Sequence, residues 1–186
     1  MTFFDGWVRD VGAGLSFFTR WPLPASAHAV PLADAARAVP IAGLVAALPG
    51  AIVLLLLSGA DPLVAAIAAT ALLVVSTGAL HEDGFADVAD GFWGGKDATS
   101  RLEIMRDSRL GTYGVAAVVL ALIAKVACIA VLMKMSPLFA AGAVLAAALM
   151  ARTAALDIWI AGPAARPDGL AAQRPTEASF HIAALI

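Results

Sequence analysis

Residues 64–92 read VAAIAATALLVVSTGALHEDGFADVADGF. The stretch opens with 17 residues that carry no charge, and then Glu82, Asp83, Asp87 and Asp90 fall within nine positions. Together with Pro62 and Leu63 the uncharged run approaches the roughly 20 apolar residues that cross a bilayer as a helix. The acids begin where it stops. The fold therefore turns on a membrane helix that ends against an acidic segment.

The rest of the chain agrees. Of 186 residues, 61% are hydrophobic and 14% charged, and the mean hydropathy is +0.89. Soluble domains are about 45–50% apolar and about 25% charged, so the composition points to the membrane class. The apolar excess is Ala, Leu and Val with few aromatics, which suits close-packed helices and not a barrel with aromatic girdles. The expected fold is all-α, a polytopic helical membrane bundle. A net charge of −2 gives no electrostatic footprint for nucleic acid. The single cysteine, Cys128, lies in an apolar run and reads as a small buried hydrophobe.

Four spans are predicted, at 39–58, 62–80, 112–133 and 137–162, in one membrane domain. Pro49-Gly50 is expected to kink the first, and Pro62 to start the second. A further span begins near Ser179, so the chain is expected to be truncated at its C-terminal end. Residues 1–24 lack the basic and apolar regions of a signal peptide. With Phe3, Phe4, Trp7, Phe17, Phe18 and Trp21 they form an N-terminal helix, either interfacial or amphipathic and packed on the bundle. Lys and Arg alternate between connections: Arg9, Arg20 and Arg37 before the first span, none at 59–61, then Lys96, Arg101, Arg106 and Arg109 in the segment 81–111. Lys134 stands alone in the next turn, and Arg166 and Arg174 follow the fourth span. The positive-inside rule then puts the N-terminus and the 81–111 loop in the cytoplasm, and in a bacterium the protein in the inner membrane.

Seven of the 14 acids lie between Glu82 and Asp107. Asp83, Asp87 and Asp90 are spaced i, i+4, i+7, one face of a helix. The segment fits either a solvated acidic edge or a cation site. Phe85, Ala86, Val88, Ala89 and Phe92 between the acids favour the second, because a carboxylate held near hydrocarbon is costly unless paired or ligated. Hard oxygen donors without a Cys or His cluster suit Mg²⁺ or Mn²⁺. Gly84 and Gly91 leave room for close approach of a backbone or a phosphate. Gly94-Gly95 breaks the helix, and Asp97 or Thr99 caps the next. Arg101, Arg106 and Arg109 then offer fork-shaped donors matched to phosphate oxygens, with Asp107 and Ser108 between them. A metal face beside arginines is the equipment for handling a diphosphate. Lys125 either snorkels or pairs with Asp157, and Arg152 and Asp157 are further candidates near the same end. His28, His81 and His181 carry no pattern of their own.

LHEDGFADVADG at 80–91 followed by LEIMRDSRLGTYG at 102–114 resembles the membrane-bound adenosylcobinamide-GDP ribazoletransferases, or cobalamin-5′-phosphate synthases. FFTRWPLP at 17–24 and ARPDGL at 165–170 look like further motifs of that family. The resemblance implies an enzyme that joins adenosylcobinamide-GDP to α-ribazole or its 5′-phosphate and releases GMP, with Mg²⁺, in the last step of nucleotide-loop assembly. It implies Asp83, Asp87 and Asp90 as metal ligands with Glu82 adjacent, and Arg106, Asp107, Ser108 and Arg109 at the phosphates beside Arg101. Asp90 or Asp107 is the candidate general base, and Arg20, Arg166 and Asp168 are further substrate contacts. The implied partners are the two substrates and the bilayer, with room for a homo-oligomer. The CDP-alcohol phosphotransferases are similar in mechanism but carry an alanine–arginine pair and two later aspartates with no counterpart here. A divalent cation transporter is the alternative from another class; it would carry its acids at the middle of its spans.

Overall fold

A computed structural model describes residues 3–175. The expected fifth span from Ser179, with His181, lies outside them. Regular structure among the described residues is helical: α1 (Phe3–Phe18), α2 (Ala25–His28), α3 (Val39–Leu56), α4 (Pro62–Thr77), α5 (Leu80–Gly94), α6 (Ala98–Ile104), α7 (Thr112–Met135) and α8 (Pro137–Ala161). Single 3-10 turns precede α3 and follow α8.

Three stretches are long and apolar enough to cross a membrane: Ala36–Leu56, α7 and α8; α4 and α5 make a fourth if the bent pair is counted as one span. In α7 and α8 only 11% of the apolar window is buried within the protein. Surface that apolar needs lipid against it. Cys128 lies on this exposed surface, not in a core as its neighbours implied. The ends of α3, α4, α7 and α8 fall within three residues of the expected spans, but α4, expected to cross alone, is too short to do so without α5. α3 runs through Pro49 as one helix.

The chain folds as two compact units, one formed by residues up to Ala51 and from Ala141 on, the other by Ile52–Ala140. In the first unit α1 packs on α3 through Leu15, Phe18, Val39, Ala42 and Ala46. A Cβ on Gly14 would collide with that of Ala42, so glycine permits the close crossing. The N-terminal helix is therefore packed on its unit, and it is shorter than expected. Asp10 is 1% exposed. Its Oδ1 accepts from Arg9 Nε at 2.9 Å and its Oδ2 from Arg37 Nε at 2.7 Å. Arg37 also lies 4.9 Å over the Trp7 ring. Arg152 of α8 passes Gly43 and lies 5.7 Å over the Phe18 ring.

In the second unit α4 starts at Asp61, whose carboxylate accepts from the Leu63 and Val64 amides, with Pro62 in the first turn. It ends earlier than the sequence implied. Gly78 (φ 61°) and Ala79 (φ 57°) are both left-handed, and the axis turns by 86° into α5. α7 packs against both α4 and α5, with buried Ala65, Ala66 and Ala69 on α4 and Ile129, Ala130 and Met133 on α7. The expected loop 81–111 is thus mostly helix, α5 turned away from α4 and α6 packed on α5.

Candidate active site

The site is built on α5, and its helical spacing divides the helix into faces. Asp83, Asp87 and Asp90 share one stripe. Phe85, Val88 and Phe92 lie opposite and are about half exposed, an apolar surface suited to lipid. Ala86, Ala89 and Asp90 are buried, on the side turned toward α7. The apolar residues between the acids are therefore split: the alanines seal the helix onto its neighbour while the large ones face outward.

The four expected carboxylates have different surroundings. Asp83 is exposed and Asp87 half-buried; neither carboxylate has an ion-pair or hydrogen-bond partner among the described residues. Glu82 Oε1 receives Lys125 Nζ at 3.4 Å, and its Oε2 is buried without a hydrogen bond. Lys125 therefore answers Glu82, 43 positions away in sequence. Asp90 is 8% exposed. Its Oδ2 accepts the Gly111 amide and its Oδ1 the Gly114 amide, each at 2.8 Å. Among the described residues no three of His, Cys, Asp and Glu are placed to hold a metal ion together, so the four acids do not form a cage.

Two uncompensated carboxylates one helical turn apart still fit a hard divalent cation. Mg²⁺ is commonly held by one or two carboxylates, its other positions filled by water and substrate phosphate. Asp83 and Asp87 are the two carboxylates whose chemistry fits such an ion. Glu82 and Asp90 already have partners within the protein.

Gly91 and Gly95 let α6 close on α5. A Cβ at Gly91 would meet the Met105 side chain and the Arg101 carbonyl, and one at Gly95 would meet the Arg101 backbone. Gly84 has open space instead. α6 starts at Asp97 with a capping box: Asp97 Oδ1 accepts the Ser100 amide at 2.9 Å, and the Ser100 hydroxyl oxygen accepts the Asp97 amide at 3.1 Å. That cap holds the Asp97 carboxyl below the usual carboxylate range. Arg101 lies 5.1 Å over the Phe92 ring, and its Nε donates to the Gly95 carbonyl at 3.2 Å. It is committed to the α5–α6 junction, at least through that nitrogen.

Between α6 and α7, Arg106, Ser108 and Arg109 are exposed. Arg109 Nε lies 3.0 Å from both Asp107 oxygens. This pairing holds the Asp107 carboxyl down at about 2. A carboxylate that acidic is a weak proton acceptor at neutral pH. Arg20, Arg166 and Asp168 belong to the other unit: Arg20 is exposed beyond α1, Arg166 half-buried and Asp168 exposed beyond α8. Sequence reading missed both pairing partners of the acidic helix, Lys125 for Glu82 and the glycine amides for Asp90. The motif GTYG at 111–114 was a visible signal for the second, since two glycines at a helix start admit a close neighbour.

The family model for cobalamin-5-phosphate synthase matches residues 10–186. An adenosylcobinamide-GDP ribazoletransferase of Azorhizobium caulinodans is 48% identical over 179 residues, covering 89% of this chain and 65% of the relative. One of Rhizobium etli is 47% identical over 126 residues, 66% of this chain and 48% of the relative. One of Xanthobacter autotrophicus is 44% identical over 152 residues, 74% and 55%. The chain thus spans between about half and 65% of the length of these relatives. No solved structure gives a significant match.

Proposed function

The chain belongs to the cobalamin-5-phosphate synthase family, and from that premise we propose that it is a membrane transferase joining adenosylcobinamide-GDP to α-ribazole or its 5′-phosphate. A hydroxyl of the ribazole ribose attacks the phosphorus that bears cobinamide. The new O–P bond forms as the bond to GMP breaks, GMP leaves with the electron pair, and the hydroxyl proton passes to a base. The cobinamide phosphoryl group stays with cobinamide. The product is adenosylcobalamin, or its 5′-phosphate from the phosphorylated acceptor.

The observation that carries this reading is the uncompensated pair Asp83–Asp87 on a helix next to a loop rich in arginine. Asp83 and Asp87 hold a divalent cation, Mg²⁺ or in its place Mn²⁺. When bound, the cation neutralises charge on the diphosphate and the departing phosphate. Arg106 and Arg109 bind phosphate oxygens as planar donors, and Ser108 adds a hydroxyl donor. Arg109 exchanges Asp107 for phosphate, one anionic partner for another. Arg20, Arg166 and Asp168 contact the remaining parts of the substrates, as the family resemblance implies. The arginine and lysine excess in the segment 81–111 supports a cytoplasmic active site in a bacterial inner membrane.

The test is the protein purified in lipid with adenosylcobinamide-GDP, α-ribazole and Mg²⁺. Stoichiometric GMP and a cobalamin product are expected. A folded protein that yields neither contradicts the reading.

A further inference from the structure

The geometry points to Asp90 as a positioning residue, a latch that fixes the arginine-bearing loop against the acidic helix, and not as a metal ligand. Both of its oxygens are taken by backbone amides at the start of α7, Gly111 and Gly114. These are N–H groups that the first turn of a helix leaves without an intrahelical partner. Gly111, at the cap position, supplies no side chain to satisfy them. The cap of α7 therefore comes from another helix, 21 and 24 positions earlier in the chain.

The fit is close on both sides. A Cβ on Gly111 or on Gly114 would collide with the Asp90 carboxylate, and one on Gly114 would also crowd the Ala86 carbonyl. Only glycines at these two positions let the acid seat. Asp90 is buried, whereas Asp83 is exposed and Asp87 half-buried. A ligand for an exchangeable cation belongs with the latter two. The latch also has a functional location. The chain it anchors at Gly111 is the one that carries Arg106, Ser108 and Arg109 immediately before. The helix it hangs from carries Asp87 and Asp83, one and two turns earlier. Asp90 thus sets the spacing between the cation pair and the phosphate donors.

The part of this inference that concerns substrate rests on the proposed function; the latch itself does not, and the experiment separates them. The protein in lipid is compared with Asp90→Asn, Gly114→Ala and Asp87→Asn. Three quantities are read: backbone amide exchange at 111–114, Mn²⁺ affinity by electron paramagnetic resonance, and KM against kcat for the diphosphate substrate. Asp90→Asn keeps one accepting oxygen and turns the other into a donor facing a donor. Gly114→Ala disturbs the same contact from the other side while leaving the acid intact. Both variants are expected to speed exchange at 111–114 by about tenfold or more, with exchange in α4 unchanged as the control for folding. Both should raise KM more than they lower kcat and leave Mn²⁺ affinity within about threefold, whereas Asp87→Asn weakens Mn²⁺ by about tenfold or more. Parental exchange at 111–114 in Asp90→Asn overturns the latch whatever the other two readouts give. Loss of Mn²⁺ binding in Asp90→Asn equal to that in Asp87→Asn overturns the separation of latch from ligand.

Discussion

The chain contains two groups of acids with opposite solutions to the same problem. In the first unit Asp10 is buried, and Arg9 and Arg37 each offer it a guanidinium. In the second, Asp83 and Asp87 share one face of α5 with no cationic partner among the described residues. A buried carboxylate must be ligated or paired; the first group is satisfied by the protein itself. The second is exposed or half-buried and keeps its oxygens open to a cation, which separates an acid that supports the fold from a pair that we propose does chemistry. Asp90 belongs to a third kind, since backbone amides satisfy it.

The contrast predicts effects of different kinds. Asp87→Asn should reduce Mg²⁺-dependent turnover by about a thousandfold, the scale of removing a principal electrostatic element, with an unchanged unfolding transition. Retention of full activity would erase the contrast from the functional side. Asp10→Ala should do the reverse. It removes the buried acceptor of Arg9 and Arg37, which are themselves partly exposed, and costs about 1–3 kcal/mol of stability, read by denaturation in detergent. A cost near that of a surface substitution would show that Asp10 is no structural centre. Ala79→Gly should stabilise the second unit by about 1 kcal/mol, because Ala79 holds a left-handed backbone that disfavours a Cβ. Unchanged or lower stability would show that the junction into the acidic helix is not strained.

The smallest effect concerns Asp107. Its folded carboxyl is held at about 2 by Arg109, below its ordinary unfolded value. The stabilisation is therefore present above the unfolded value and is lost as pH falls through about 2. An NMR titration should find the Asp107 midpoint near 2 in the parent and in the ordinary carboxylate range in Arg109→Ala. The same ordinary midpoint in both would remove the pairing.

Much of the acidic helix was legible because it rests on local chemistry. The i, i+4, i+7 spacing gave the shared face, Gly94-Gly95 gave its end, and the next cap was narrowed to Asp97 or Thr99, of which Asp97 is the one used. Three of the four expected spans were legible from their length and apolar content; the other, α4, reaches that length only with α5. What was not legible depends on residues distant in sequence. Lys125 meets Glu82, Arg37 meets Asp10, and Asp90 meets Gly111 and Gly114 across separations that no periodicity encodes. The break at Gly78-Ala79 was hidden for a different reason: an alanine in the left-handed region runs against its own preference, so only tertiary packing reveals it. Arg101 was read as a phosphate donor on its chemistry alone, and its stacking on Phe92 became visible only with α6 folded back onto α5.

The central claim is that Asp83 and Asp87 form a cation site while the other acids of the motif serve the fold. Mn²⁺ titration of the protein in lipid, read by electron paramagnetic resonance, tests it most directly. Saturable binding is expected that disappears in the double variant Asp83→Asn, Asp87→Asn and persists in Asp90→Asn and in Glu82→Gln. Binding that survives the double variant would contradict it.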